Sequence, residues 1–167
     1  MATAAEIRQA KKYHSLTFYT PSASAVLSQG YQNAGLGSSP KNTWYDWHLV
    51  PTARPVINPP TIRTQYVEVP GYNGYLDFSD ALSSNKKGPR EGSISFFVMN
   101  DYGNWYDRFE TIMNYIHGKQ LNVVLNDDET KFYHGRWQVS EWINSTDGTC
   151  SGITFSYYLQ PDWGSVS

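Results

Sequence analysis

The sequence has little of what small proteins use to form disulfides or bind metals. Its 167 residues include one cysteine, Cys150, so no disulfide can form within the chain. The four histidines (His14, His48, His117 and His134) are not spaced from one another or from Cys150 as zinc ligands are. One domain of this length buries about 70% of the surface that its unfolded chain exposes. We therefore predict a domain that folds without metal, cofactor or disulfide.

Charge and long apolar runs are also scarce. Charged residues make up 17% of the chain and the formal net charge is −2. A nucleic-acid-binding domain usually carries a basic stripe, so this balance argues against such a function. No stretch approaches the roughly 20 apolar residues of a membrane span, and residues 1–12 lack the apolar run of a secretory signal. The single thiol favours a reducing compartment, or a particle assembled in one.

Catalytic motifs are missing too. The densest acidic cluster, Asp127-Asp128-Glu129, lacks the glycine and the final glutamate of a calcium loop. At a hairpin tip its carboxylates would point into water. The sequence contains no nucleophile elbow, phosphate loop or dinucleotide fingerprint, and no family signature surrounds Cys150. Two carboxylates brought together only by the fold stay possible. We predict a protein that is not an enzyme, with no catalytic, cofactor-binding or metal-binding residues.

Aromatic residues, in contrast, are abundant: 13 Tyr, 7 Phe and 6 Trp. Large amphipathic rings at low charge are typical of a β core and of protein–protein interfaces. They also suit a face that binds sugar. Composition therefore favours a binding or assembly protein and leaves both kinds of partner open.

Several segments are predicted to be strands, because their apolar residues alternate with polar ones or follow one another between turn signals. The prolines between the first two predicted strands, 44–50 and 62–69, predict an extended path for the chain that joins them. Asn73-Gly74 predicts a tight turn. In the longest segment Tyr133, Trp137, Val139 and Ile143 are expected to face the core. The predicted strands are 44–50, 62–69, 75–78, 93–99, 121–125, 132–143 and 153–159.

One segment has the spacing of an amphipathic helix. Trp105, Phe109, Ile112 and Ile116 form a single apolar stripe, which predicts a helix packed on the sheet. Asp101 or Asn104 can cap its start, and Gly118 stands where a left-handed cap ends helices. Residues 1–12 are expected to form a short weak helix or to fray, and residues 20–43 a long loop or arm.

These elements predict an α+β protein that is mainly β, an antiparallel sandwich or open barrel with one packed helix. The expected organisation is an N-terminal extension with a possible arm at 1–43. The β domain is expected at 44–160 and a C-terminal tail at 161–167.

An ordered series of motifs makes the sequence more specific. Residues 44–55 (WYDWHLVPTARP), 59–71 (PPTIRTQYVEVPG) and 73–82 (NGYLDFSDAL) follow one another closely. The helix ends on YIHGK at 115–119, and YHGR follows at 133–136. Over about residues 42–160 this series resembles the N-terminal, tail-tube-like domain of the distal tail proteins of long-tailed bacteriophages.

The resemblance implies a structural protein of the virion. Such proteins have a tail-tube-like fold and form a ring of six copies at the end of the tail tube. The ring joins the tube to the hub and the receptor-binding proteins and leaves a channel through which the genome passes without being gripped. It implies assembly in the cytoplasm of a bacterial host. An arm of each subunit clasps its neighbour, and we expect that arm at 20–43 or 83–92.

Many relatives carry a second, C-terminal domain that binds sugar or receptor-binding proteins. This sequence ends at Ser167, soon after the last predicted strand. We therefore expect a short form whose role is that of a connector. The alternatives are a carbohydrate-binding module, which the aromatic content suits, and a tail tube subunit, which would share the fold.

Overall fold

The computed structural model describes residues 3–22, 30–78, 86–99, 105–144 and 151–166. Within these ranges the chain is mainly β with two α-helices, which confirms the predicted fold class. In chain order the elements are helix α1 (Ala4–Lys12), strand β1 (Leu16–Thr20), a 3₁₀ turn (Tyr31–Asn33), β2 (Ser38–Asn42), β3 (Leu49–Pro51), β4 (Tyr66–Val67), β5 (Leu76–Asp77), β6 (Arg90–Val98), helix α2 (Trp105–Ile116), β7 (Lys119–Leu125), β8 (Asp128–Asn144), β9 (Ser151–Leu159) and β10 (Gly164–Ser165).

The main sheet is antiparallel and curled into a half-barrel. Its strand order is β2-β1-β7-β8-β9-β6-β3, with β10 beside β8. Strands β1 and β9 are three positions apart, which is about 14 Å in a flat sheet. The rings of Phe18 on β1 and Phe155 on β9 nevertheless lie 6.3 Å apart, centroid to centroid. The sheet must therefore wrap around a shared interior, as the open-barrel prediction requires.

Helix α2 packs on the main sheet and contributes to its core. Ile112 and Ile116 of the predicted stripe are buried in the main core, and Phe109 packs against it. The backbone of Gly118 has φ +73°, so the predicted left-handed residue does follow the helix. The proposed caps Asp101 and Asn104, and the side chain of Trp105, lie outside the described residues.

After Val139, the side chains of strand β8 that face the core are not the ones that the sequence predicts. Trp137 is fully buried, as expected, but Ile143 is 51% exposed and Trp142 packs on the core instead. The register against β9 shifts between Val139 and Glu141, because one extra residue is inserted there. A bulge of this kind moves every later side chain to the opposite face. The prediction that Ile143 faces the core is therefore wrong.

The N-terminal segment supplies more regular structure than expected. Helix α1 starts with a capping box: the Thr3 hydroxyl accepts a hydrogen bond from the Glu6 N–H, and the Glu6 carboxylate accepts one from the Thr3 N–H. Strand β1 lies between β2 and β7 in the main sheet. The expectation of a loop across 20–43 is wrong for 38–42, and residues 23–29 lie outside the described ranges.

The segment predicted as a strand at 44–50 is mostly a turn. The Asn42 side-chain oxygen accepts hydrogen bonds from the N–H groups of Trp44 and Tyr45, at 3.0 and 2.9 Å. Residues 43–47 then form turns, which buries Trp47 in the main core and Trp44 against Tyr13. Extended structure begins only at Leu49. A local cap by asparagine competes here with strand formation.

Candidate interaction surface

Within the described ranges, no group of three or more His, Cys, Asp or Glu residues is arranged to hold a metal ion. Cys150 lies outside those ranges. Neither described helix is long and apolar enough to span a lipid bilayer. The polar residues singled out in the sequence therefore have to be judged by their contacts.

Asp127 of the predicted solvated turn is a structural junction. Its carboxylate lies 2.7 Å from Nδ1 of His14 and 3.1 Å from Nε of Arg54. Burial opposes its ionisation, but the hydrogen bonds from His14 and Arg54 outweigh this effect and lower the pKa of Asp127. The carboxylate thus ties the end of α1 and the proline-rich segment to the turn between β7 and β8.

His134 is also held by neighbours. Its imidazole is buried, stacks on the Tyr31 ring and lies 2.7 Å from Oδ1 of Asn122. Burial lowers the pKa of His134, so the neutral ring is favoured. The Asn122 amide in turn donates to the Leu36 carbonyl at 2.7 Å. This arrangement fastens the segment around the 3₁₀ turn onto the outer face of the sheet.

The two remaining histidines lie at turns. Nδ1 of His117 accepts a hydrogen bond from the Val139 N–H at 3.2 Å, which joins the end of α2 to β8. His48 has φ +53° at the start of β3, and its ring meets the edge of Trp44. Burial lowers the pKa of His48, and the nearby Arg108 guanidinium adds to the effect. These contacts give both residues a role in the fold.

The most unusual surface feature is a hairpin that stands away from the sheet. Among the described residues, strands β4 and β5 pair only with each other, as a separate two-stranded sheet. Every residue from 61 to 78 is exposed. We call residues 66–78 the tyrosine hairpin. Its exposed large apolar side chains are Tyr66, Val67, Val69, Tyr72, Tyr75, Leu76 and Phe78.

The two faces of the tyrosine hairpin differ in chemistry. Tyr66 pairs with Asp77, and the Tyr66 ring contacts the Tyr75 ring at 4.6 Å between centroids. These three residues form one face, which combines aromatic rings with a carboxylate. Val67 pairs with Leu76 on the other, aliphatic face. The apolar residues on both faces of this two-stranded ribbon are exposed, so the ribbon is suited to a partner.

Short backbone contacts join the tyrosine hairpin to the body. Ile62 forms a bridge with Lys87, and the Arg63 N–H donates to the Lys86 carbonyl at 2.9 Å. At its open end the Phe78 N–H donates to the Gln65 carbonyl at 2.8 Å. The predicted strand at 62–69 is thus wrong for most of its length, since only Tyr66 and Val67 are strand. The attachment is narrow and leaves both faces open.

A second exposed surface surrounds Tyr158 on the outer face of the main sheet. The register across β6, β9 and β8 places Glu91, Tyr158 and Arg136 in one row. Tyr158 is 56% exposed. It lines two open depressions, of about 330 Å³ and about 290 Å³, and Arg63 and Lys87 line the second. We call these five residues the Tyr158 surface.

Sequence reasoning missed both surfaces as interaction sites. It expected a strand, a tight turn and a second strand where the tyrosine hairpin lies, and it placed the arm elsewhere. The two expected arm positions were 20–43 and 83–92. Residues 38–42 form strand β2 and residues 90–92 begin strand β6, whereas 23–29 and 83–85 lie outside the described residues. One feature of the sequence could have indicated the tyrosine hairpin as an interaction site: residues 66–78 contain three tyrosines and no Lys or Arg.

Comparisons with known proteins give a likeness to a solved structure. No protein-family model and no curated protein matches this chain. A solved structure does match: the crystal structure of the SPP1 Dit protein (gp 19.1), described as a paradigm of the hub adsorption apparatus in phages that infect Gram-positive bacteria. The match has a TM-score of 0.50 and 18% sequence identity, and it covers 67% of this chain. At that identity the likeness shows a shared fold.

The match covers 44% of the SPP1 Dit chain, so the two proteins are alike over less than half of that protein. About two thirds of this chain therefore shares the fold of a phage distal tail protein, which agrees in part with the family resemblance seen in the sequence. The role of the whole Dit protein is not transferred by this likeness alone.

Proposed function

We propose that this protein is a structural component of a bacteriophage tail tip. In this role it forms a ring, of six copies, at the distal end of the tail tube and joins the tube to the tail-tip hub. The observation that carries the proposal is the fold shared with SPP1 Dit, a protein of a phage adsorption apparatus. The ordered motifs at 44–82 point to the same class of protein independently of the fold.

The surface of the protein supports an assembly role. The tyrosine hairpin exposes seven large apolar side chains on a narrow ribbon. Exposed apolar surface of this kind marks interaction sites, and tyrosine is enriched in protein interfaces. We therefore place the arm that contacts a neighbouring subunit in residues 66–78. The other partners in this proposal are the tail tube protein and the hub protein, and the genome passes through the channel with passive contact only.

The test is the mass of the purified full chain, measured by mass photometry and imaged by negative stain. The proposal predicts ring-shaped particles of about six times 19.0 kDa, formed alone or with the tail tube protein. A strict monomer under both conditions would contradict it. Long tubes instead of single rings would identify a tail tube subunit.

The carbohydrate-binding alternative rests on the same exposed tyrosines. Sugar-binding platforms need rings that can stack on a sugar face, whereas Tyr66 and Tyr75 meet at 71° and do not form a common plane. A glycan array with the wild-type chain tests this alternative. Binding that is lost in Tyr72→Ala, with no ring formed by wild type, would replace the assembly proposal.

A further inference from the structure

We infer that the tyrosine hairpin of one copy docks on the Tyr158 surface of a second copy. This inference rests on the proposed function and names the two surfaces that would meet in the ring. A closed ring of identical subunits needs a head-to-tail contact, in which each copy offers two different surfaces. The tyrosine hairpin and the Tyr158 surface are two such surfaces.

Charge complementarity selects this pairing. The tyrosine hairpin contains two carboxylates, Glu68 and Asp77, and no Lys or Arg. The Tyr158 surface contains three cations, Arg63, Lys87 and Arg136, and one carboxylate, Glu91. An acidic ribbon that meets a basic surface is steered into one orientation, and contacts between like charges disfavour other orientations.

The chemistry of the aromatic residues agrees with the charges. Tyr66 and Tyr75 lie on the same hairpin face as Asp77. On the other surface Tyr158 stands between Glu91 and Arg136 and lines two open depressions. Tyrosine rings fill depressions of this kind while their hydroxyls reach polar groups at the edge. Stacking of a guanidinium on a tyrosine ring adds to the contact.

Both surfaces are exposed in the part of the chain that the structure describes. Tyr66 and Tyr75 are 53% and 58% exposed, and Tyr158 is 56% exposed. Arg63 precedes the hairpin by only three residues, so the Tyr158 surface begins at the base of the hairpin that leaves the same copy. A hairpin from a second copy that docks on the Tyr158 surface would therefore lie beside the base of the first copy's own hairpin. The first copy's hairpin can then dock on a third copy, so the contact repeats.

The first test is a charge-swap cycle in the full chain, with self-association measured by analytical ultracentrifugation. Glu68→Lys and Lys87→Glu should each raise the dissociation constant, by about threefold to tenfold, since each places like charges together. The double variant restores opposite charges in a single chain and should return to within about twofold of wild type. Lys12→Glu on helix α1 is the matched control and should leave association unchanged.

Two results of this cycle would overturn the inference. In one, Lys87→Glu associates like wild type. In the other, the double variant loses as much free energy of self-association as the two single variants lose together. The same variants separate nucleic acid from protein as the partner of the basic surface. If wild type binds short duplex DNA, and Lys87→Glu abolishes that binding without changing self-association, the Tyr158 surface serves nucleic acid instead.

The second test is cysteine cross-linking between two proteins, each in a Cys150→Ser background. One carries Tyr72→Cys at the hairpin and the other carries Tyr158→Cys. Mixing them should produce a disulfide-linked heterodimer at least fivefold faster than mixing Tyr72→Cys with Tyr106→Cys, whose position on helix α2 is 70% exposed. Equal rates would contradict the inference.

These tests separate the failure of the inference from failure of the proposed function. If wild type forms six-copy rings and variants at the Tyr158 surface form them equally well, the ring uses another contact and the inference alone is wrong. If wild type forms only open chains or dimers, and the charge-swap variants change this association as expected, the docking contact is confirmed and the proposed six-copy ring is wrong.

Discussion

The Tyr31 ring lies almost parallel to the His134 imidazole, with 4.9 Å between centroids and 12° between planes. The Tyr31 hydroxyl donates to the Asp162 carbonyl at 2.8 Å, and the His134 ring is joined to Asn122. This stack therefore connects three separate parts of the chain: the segment around the 3₁₀ turn, the outer face of β7 and β8, and the region before β10. It closes a second small core that includes Val124 and Phe132.

His134 should make stability depend on pH. Burial lowers the pKa of its imidazole in the folded protein, so the folded state disfavours the charged ring. Its contribution to stability is present above the unfolded pKa of about 6.5 and is lost as the pH falls below it. We expect the urea midpoint of wild type to fall between pH 7.5 and 5.5, and to fall less in His134→Gln. An equal fall in the two proteins would contradict the prediction.

Asp127 should also lose its contribution to stability on acidification, but at lower pH than His134. Its folded pKa is lowered, so its contribution to stability is present above the unfolded pKa of about 3.9 and is lost as the pH falls through the lower folded pKa. At pH 7, Asp127→Asn should reduce the free energy of unfolding by about 0.5–1 kcal/mol, because the partners His14 and Arg54 are largely exposed. Urea unfolding at pH 7 and pH 2.5 measures this. A difference that persists at pH 2.5 would argue against an ionic origin.

Gly135 should tolerate no side chain. A Cβ atom there would lie 2.3 Å from the Tyr158 carbonyl oxygen and 2.5 Å from Cα of Leu159, so the β9 backbone would have to move. Gly135→Ala should cost roughly 2–4 kcal/mol. Gly152→Ala is the matched control on β9, since its Cβ would meet only the Phe96 carbonyl oxygen, at 3.3 Å, and should cost less than about 1 kcal/mol. Thermal unfolding of both variants decides, and equal losses would contradict the packing at Gly135.

The bulge in β8 predicts opposite effects at two adjacent positions. Trp142 packs on the core and its ring lies 3.9 Å from the Phe109 ring, whereas Ile143 is 51% exposed. Trp142→Ala should therefore cost about 2–4 kcal/mol, and Ile143→Ala should stay within about 0.5 kcal/mol of wild type. Denaturant unfolding of the two variants gives the comparison. A larger loss at Ile143 would mean that the strand continues without a bulge.

Local periodicity was sufficient for the parts of the fold that have a single regular pattern. Ile94, Phe96 and Val98 are buried on β6, and Ile153, Phe155, Tyr157 and Leu159 are buried on β9, as their alternation predicts. The stripe of α2 likewise places Ile112 and Ile116 in the core. In these elements side-chain direction follows from residue number alone, because no residue is inserted or removed.

The sequence also contains two local capping motifs that strand and helix periodicity does not detect. Thr3 and Glu6 have the spacing of a capping box, which explains why α1 forms at 4–12. Asn42 before Trp44 and Tyr45 similarly explains why residues 43–47 turn and do not extend. Both motifs satisfy backbone groups locally, so they can override the strand or loop that composition suggests.

The sequence by itself determined the fold class, the core faces of β6, β9 and α2, and the combination of many aromatic residues with few charged ones. Only the tertiary structure decided where the sheet curls, where β8 bulges and which aromatic residues remain outside. Trp142 and Ile143 illustrate the difference: alternation along β8 places Ile143 on the core face, yet the bulge turns Trp142 onto the core and leaves Ile143 51% exposed. Burial depends on contacts between strands far apart in sequence, such as β1 and β9 around Phe18, and no local pattern contains that information.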